Sequence, residues 1–373
     1  MELYEKELRA LKRAGRYRER KVLDPTLLDF ASNDYLSLAH NKEIYKQTVY
    51  ELQQYEAHSP KASMLVNGYH QIHKDFEAEL CRLNGFEDGV VMGSGFNANI
   101  ALIEALVRRD DILIMDEKYH ASGVLASQIG EKQVVMFTHN NMQKLEESLK
   151  QHYKEKKRII IAVEGIYSMD GDLLDAEVFS LCDRYNAILL VDEAHSSGVV
   201  GPHLMGVYDL YNITIKPNHI KMGTLGKAYG SFGAYILASS HIIEYLLNRA
   251  KPLIYATSLS LFDTLLAHNA LRYIEQNTLQ LQEEIQKIKT LLSEEMEIES
   301  ESLIYPIVIN DNKRVMAIKK RMEESGFLVG AIRQPTVPEA IIRLIARVGY
   351  TQEQLKELCT TLKELIMESK NES

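Results

Sequence analysis

The chain has 373 residues, 46% hydrophobic and 25% charged, enough apolar content to bury a substantial core and to exclude a disordered polypeptide. Its formal charge of -9, from 43 Lys and Arg against 52 Asp and Glu, disfavours nucleic acid and other polyanions as partners. Cys81, Cys182 and Cys359 are widely spaced without a C-x-x-C pair, no run reaches the roughly 18 apolar residues of a membrane span, and the start MELYEKEL is acidic; these features predict a cytoplasmic protein without disulfide, bound metal, membrane span or signal peptide.

Leu3, Leu8 and Leu11 recur at near-helical spacing among charges, so residues 1–20 predict an amphipathic helix lying on the body or on a partner subunit, with Arg16, Arg18 and Arg20 at its basic end. LLDFASNDYLSL predicts a short strand entering a loop, where Asn33 and Tyr35 are pocket candidates. In AHSPKASMLVNGYH, residues 57–70, Pro60 stiffens and Lys61 charges a loop. A helix over 75–83 and a strand over 90–92 then open onto Gly93-Ser94-Gly95-Phe96-Asn97-Ala98. The strand DILIMD ends in Asp116 and leads to His120, which by itself reads as a hydrogen-bonded surface or core histidine. Strands over 133–137 and 158–163 flank a helix over 142–153, and the KEKKR run at 154–158 predicts a solvated turn.

RIIIAVEGIYSMDGD and AILLVDEAHSSGVVG each close an apolar run with a polar cluster, the pattern of parallel strands in an α/β sheet. Ligands bind at the carboxyl ends of such strands, so Ser168, Asp192, His195 and Lys227 are expected to converge on one edge. Asp192 stands at the mouth of a buried strand and needs a cationic partner; a protonated pyridine nitrogen is one. In HIKMGTLGKAYGSFG, residues 219–233, an alternating apolar run reaches Thr224 and then Lys227, and the flanking Gly223, Gly226, Gly230 and Gly233 let the backbone bend closely around a bound group. Partial burial at a strand end lowers a lysine pKa and favours covalent chemistry, whereas a solvated loop lysine is the bland alternative.

GAYILAS predicts a strand and HIIEYLLNRAK a helix, after which Thr257 or Ser258 can serve as an N-cap. Helices over 259–296 lead into a small domain with strands near 303–309, 327–332 and 341–346 and helices over 313–325 and 351–368. The hexapeptide Gly93 to Ala98, with Asp116 about twenty residues on, also fits a dinucleotide-binding fingerprint. The same glycines and helix N-terminus would hold a single phosphate equally well. A nicotinamide-dependent dehydrogenase, or a non-enzymatic module keeping that loop, leaves Asp192, His195 and Lys227 unexplained.

Asp192-Glu193-Ala194-His195 followed by Thr224-Leu225-Gly226-Lys227 resembles the α-oxoamine synthases. Asn33-Asp34-Tyr35-Leu36, Ser94-Gly95-Phe96, His120-Ala121-Ser122, Ser168-Met169-Asp170-Gly171-Asp172 and Pro335-Thr336-Val337-Pro338 match in the family's order, from about Arg18 to the last helix. The resemblance implies the α/β pyridoxal-phosphate-dependent transferase fold of the aspartate-aminotransferase type, with a large central-sheet domain, a small C-terminal α+β domain and a homodimer whose active site lies at the subunit interface. The expected division is an N-terminal helix and arm over 1–40, a cofactor domain over 41–258, and linking helices with the small domain over 259–373.

By the same resemblance Lys227 would bond to the pyridoxal phosphate aldehyde and move the substrate proton, Asp192 would face the ring nitrogen, His120 would stack on the ring and touch substrate, and His195 would bond the phenolic oxygen. Ser168 would lie at the cofactor's polar edge; Thr224, Gly95 and Phe96 would hold phosphate, with Thr257 reaching the other subunit's cofactor. Arg18 would meet the acyl substrate, with Thr336 also on the substrate side. Counting back from the final helix, Arg343 takes the place of the arginine that holds the amino-acid carboxylate; a solvated strand arginine is the alternative. AHSSG and AIRQPTVP look most like the biotin-pathway branch, which joins L-alanine to a pimeloyl thioester on coenzyme A or a carrier protein; glycine with a short acyl-CoA is the alternative substrate pair. Residues 57–70 depart from the family, which usually has a glycine-rich stretch there.

Overall fold

The computed structural model describes residues 3–154 and 158–371, so most of the turn expected at 154–158 lies outside the described residues. In chain order the strands are β1 (Leu28–Phe30), β2 (Asp88–Met92), β3 (Ile112–Asp116), β4 (Gln133–Phe137), β5 (Ile159–Glu164), β6 (Ile188–Asp192), β7 (His219–Thr224), β8 (Ala234–Ala238), β9 (Ile304–Val308), β10 (Phe327–Ile332) and β11 (Ile341–Ile345). Contacts divide the chain into two compact units. One gathers the described residues up to Asn33, Met169–Gly171 and those from Gln286 on; the other holds Asp34–Ser168 and Asp172–Ile285. These divisions fall elsewhere than the boundaries expected after residues 40 and 258. The parallel pairing of β1 with β10 draws the arm into the smaller unit, and Leu261–Gln276 packs on the Lys42–Leu52 and Gln71–Asn84 helices within the larger.

The larger unit is built on a seven-stranded sheet of order β2-β8-β7-β6-β5-β3-β4. All neighbours run parallel except β8, which is antiparallel to both β2 and β7. Strands ILIMD and IIIAVE are buried along their whole length, as expected where helices cover both faces of a parallel sheet and no position needs to be polar. The Gly95–Leu106 helix supplies Ala98, Ala101, Leu102 and Ile103 to one apolar cluster with Leu113, Ile160, Leu190 and Ile236. Each buried Leu or Ile contributes roughly 1.5–3 kcal/mol, and the small alanines let the helix sit close to the strands. Register then fixes the functional edge: Glu164 lies opposite Asp192, and Asp192 opposite Met222.

The smaller unit carries a four-stranded sheet, β1-β10-β11-β9, in which β10, β11 and β9 are antiparallel neighbours. Arg343 sits in mid-strand, opposite Gly330 on one side and Pro306 on the other. The Asn312–Glu324 and Gln352–Asn371 helices occupy the segments where helices were expected. The N-terminal helix covers Glu5–Arg13 only and has no buried residue, with Leu8 and Leu11 exposed. Lys42–Leu52, which sequence patterning did not indicate, is a helix capped by Asn41, whose side chain accepts from the backbone of Glu43 and Ile44. Cys81, Cys182 and Cys359 are free thiols within helices. No helix among the described residues is long and apolar enough to cross a membrane.

Candidate active site

The carboxyl edge of the large sheet holds a cavity of about 190 Å³ that brings together Gly95, Phe96, His120, Asp192, His195, Thr224 and Lys227. Lys227 stands in the turn between β7 and β8. Thr224 Oγ1 closes that turn by donating to the Gly233 carbonyl (3.1 Å) and accepting from the Gly226 N–H (3.3 Å). Gly230 has φ +59°, and a β-carbon there would lie 2.3 Å from the Ala39 nitrogen, so no other residue lets the turn pass so close to its neighbour. Lys227 is half-buried, and its Nζ lies 2.7 Å from His195 Nε2. The other ring nitrogen, His195 Nδ1, is 2.5 Å from the hydroxyl of Tyr35, which is fully buried.

Asp192 ends β6 and is buried. Its Oδ1 accepts from the Ala194 N–H (3.0 Å) and its Oδ2 from Asn99 Nδ2 (2.9 Å). Glu164, its neighbour in register on β5, is also buried; its Oε2 accepts from the Ser168 N–H at 3.3 Å, whereas its Oε1 has no hydrogen-bond partner. Burial raises the Glu164 pKa well above the usual carboxylate range, Asp192 adds to the rise, and Lys227 opposes it. Its surroundings therefore favour the protonated form of Glu164 beside the Asp192 carboxyl group. Ser168 is not among the residues lining the cavity, and its backbone N–H donates to Glu164, which is.

His120 caps the Ala121–Ser127 helix with Nδ1 and presents the rest of its ring to the cavity. Desolvation lowers its pKa; Asp192 pulls the other way and Lys227 adds to the lowering. Behind the Asp192 turn, Glu193 accepts from the Val207 and Tyr208 N–H groups (2.8 and 3.4 Å), and its Oε1 lies 3.7 Å from Nζ of fully buried Lys221. That pair braces the loop carrying Ala194 and His195; removing one partner alone would strand a buried charge, at about 3–5 kcal/mol.

Gly95 and Phe96 open the helix capped by Ser94, whose hydroxyl accepts from the Asn97 N–H. The first-turn amides of such a helix lack intrahelical acceptors and suit an anion. Asp116, the acid of the dinucleotide reading, is committed elsewhere: its carboxylate accepts from Tyr167 Oη (2.9 Å) and the Asn140 N–H (2.7 Å) and pairs with His139 (3.0 Å). Thr257 is exposed, and the N-cap reading of Thr257 or Ser258 is corrected, since Ser260 caps the following helix by accepting from the Asp263 N–H. In the smaller unit Arg343 is buried, not solvated, and its Nη1 donates to Asn33 Oδ1 at 3.1 Å. Arg18 and Thr336 are exposed there.

Asn99, Glu164 and Tyr35's link to His195 escape sequence patterning in different degrees. Asn99 and Glu164 are polar residues inside the apolar runs ANIALIEAL and IIIAVE, where a buried polar group must find a partner or a ligand. As a whole the cavity offers a primary amine, an imidazole hydrogen-bonded to it, a carboxylate suited to a cationic nitrogen, and a helix N-terminus suited to phosphate.

The family profile of aminotransferase class I and II matches residues 25–362. An 8-amino-7-oxononanoate synthase of Helicobacter pylori is 41% identical over 361 residues, 96% of either chain. Among solved structures, the 8-amino-7-oxononanoate synthase of Francisella tularensis superposes with TM-score 0.77 at 25% identity, covering 94% of this chain and 99% of that one. A serine palmitoyltransferase of Sphingomonas wittichii shares the fold with TM-score 0.89 at 23% identity, over 99% of each chain.

Proposed function

The chain belongs to the aminotransferase class I and II family, in its α-oxoamine synthase branch, whose chemistry requires pyridoxal phosphate; from that premise we propose that it condenses L-alanine with a pimeloyl thioester. L-Alanine, the thioester and a proton give 8-amino-7-oxononanoate, carbon dioxide and a free thiol, a step of biotin biosynthesis. What carries the choice of substrates is the 41% identity to the H. pylori 8-amino-7-oxononanoate synthase across 96% of both chains.

The residues of the cavity fit the cofactor. The buried, doubly hydrogen-bonded carboxylate of Asp192 suits a cationic ring nitrogen, Lys227 supplies an amine for the aldehyde, and Thr224 with the Gly95 end of its helix suits the phosphate. When bound, pyridoxal phosphate supplies an electron sink for the carbanion at the amino-acid α-carbon. Asp192 would set its charge against the ring nitrogen, and the Asn99 and Ala194 N–H groups keep that carboxylate from turning away. Lys227 Nζ takes the α-proton of the amino acid, and His195 Nε2, 2.7 Å from it in the free site, is placed to share that proton. His120 covers the cavity as a neutral ring, as its lowered pKa favours. By the family resemblance Arg343 would hold the amino-acid carboxylate with its guanidinium fork and Arg18 would meet the acyl group. In a homodimer of the family's kind, Thr257 of one copy would reach the phosphate of the cofactor held by the other.

The test offers alanine, glycine and serine against pimeloyl, acetyl, succinyl and palmitoyl thioesters, the acyl group carried on coenzyme A or on a carrier protein. Alanine with pimeloyl thioester should give the highest kcat/KM. Preference for glycine with a short acyl group would overturn the substrate assignment and leave the cofactor chemistry standing.

A further inference from the structure

Asn99 is almost completely buried in the Gly95–Leu106 helix, yet all its side-chain hydrogen-bonding groups but one lone pair are engaged. Its Nδ2 donates to Asp192 Oδ2 (2.9 Å) and to Ser122 Oγ (3.0 Å), and its Oδ1 accepts from Tyr119 Oη (2.7 Å). The amide has only one workable orientation, because an ionised carboxylate accepts and cannot donate: turning the group over would set oxygen against oxygen at Asp192. Tyr119 Oη, itself buried, locks that orientation from behind. Gly123 makes room for the lock, since a β-carbon there would lie 2.1 Å from the Tyr119 ring.

The second branch runs to His120. Its Nδ1 faces the Ser122 N–H at 3.3 Å and Ser122 Oγ at 2.7 Å. A backbone N–H can only donate, so Nδ1 is the acceptor and carries no proton. Ser122 Oγ receives its hydrogen bond from Asn99 and is thereby free to give its own hydrogen to Nδ1. The neutral ring then bears its proton on Nε2.

We infer that Asn99 is a positioning residue that joins Asp192 and His120 into one unit, aiming the Asp192 carboxylate directly and fixing the His120 tautomer, proton on Nε2, through Ser122. The role toward bound cofactor rests on the pyridoxal phosphate reading of the cavity. The link between Asn99 and His120 exists in the chain itself and is measurable without cofactor. Each branch has its own variant: Ser122→Ala cuts only the His120 arm, whereas Asn99→Ala cuts both.

The experiment is a ¹⁵N-histidine NMR titration of cofactor-free protein, with the His120 signal among the 12 histidines assigned by its loss in His120→Asn. Wild type should show an unprotonated Nδ1 and a protonated Nε2 at neutral pH. In Ser122→Ala the 2.7 Å bond from the hydroxyl is lost, and in Asn99→Ala that hydroxyl loses the partner that orients it; only the longer 3.3 Å backbone N–H then holds Nδ1 as acceptor, so the two nitrogens should move part of the way toward the averaged shifts of a ring exchanging tautomers. After loading with pyridoxal phosphate, α-proton exchange of alanine should lose on the order of tenfold or more in kcat in Asn99→Ala, with KM little changed, and much less in Ser122→Ala, because a hydrogen bond to a charged group is at stake only in the first. A His120 signal unchanged in both variants would overturn the inference; should Asn99→Ala fail to fold, Ser122→Ala alone decides it by the same signal. A wild-type protein that takes up no pyridoxal phosphate would overturn the cofactor reading instead, a result separate from the tautomer measured without it.

Discussion

Nζ of Lys227 lies 2.7 Å from Nε2 of His195. The contact ties the turn after β7 to the turn after β6, and the Tyr35 hydroxyl, 2.5 Å from Nδ1, fixes the ring from its far side. A lysine that is to give up and retrieve a proton needs a neighbour able to hold one, and an imidazole backed by a buried hydroxyl can accept at one nitrogen while yielding at the other.

Asp192→Asn keeps the shape of the side chain but removes the charge proposed to face the ring nitrogen, and its amide nitrogen must oppose one of the two donors that now meet the carboxylate, Asn99 Nδ2 or the Ala194 N–H. A charged hydrogen bond is worth roughly 1.5–3 kcal/mol, so α-proton exchange of alanine should fall tenfold or more. Exchange at the wild-type rate would mean that another residue faces that nitrogen.

Glu164 should behave as a neutral acid. Its pKa is raised by burial and then by Asp192, so the folded state holds a proton that the unfolded chain releases as pH climbs above the ordinary glutamate value of 4.5. Stability therefore falls with rising pH over the window between those two pKa values. Glu164→Gln removes that dependence: in urea titrations from pH 4 upward (about the unfolded pKa), the variant should gain on wild type as pH increases. A stability difference that stays flat across the range would place a charged carboxylate at Glu164.

His139 has the opposite sense. Desolvation disfavours its charged form, but hydrogen bonds to Asp116 and Asp172, each 3.0 Å long, outweigh it and raise the pKa to about 9. The ion pairs should stabilise the fold fully below the ordinary value of 6.5 and lose their effect as pH rises through about 9. The stability gap between wild type and His139→Gln should accordingly shrink across that interval in urea unfolding. A gap that widens with pH would contradict the assignment.

Arg343→Ala should raise the KM for alanine on the order of tenfold or more, since a fork to a carboxylate is lost, while cofactor colour persists. The variant also leaves Asn33 without its guanidinium donor, so thermal unfolding should be followed alongside. An unchanged KM in a well-folded variant would assign the amino-acid carboxylate to a different cation.

Much of the fold was legible because parallel strands buried on both faces read as unbroken apolar runs: β3, β5 and β6 stand where DILIMD, RIIIAVE and AILLVD placed them. The domain divisions were less so. The pairing of Leu28–Phe30 with Phe327–Val329 joins segments some three hundred residues apart, and neither segment alone signals it. Cavity residues at strand ends, Asp192 and Thr224, could be read from the switch between apolar run and polar cluster. Asn99 could not, because its neighbours Ala98, Ala101 and Leu102 mark a core helix and only the Asp192 carboxylate across the sheet edge explains an amide there. The position of Arg343 in mid-strand, opposite Gly330 and Pro306, is a long-range pairing that counting along the chain does not show.

The central claim is that Lys227 carries pyridoxal phosphate, and the direct measurement is borohydride reduction of the cofactor-loaded protein followed by peptide mass mapping. The account predicts a yellow protein whose colour is discharged on reduction, with a single phosphopyridoxyl adduct on Lys227 and none in Lys227→Ala. A colourless protein, or an adduct on another lysine with Lys227 unmodified, would contradict it.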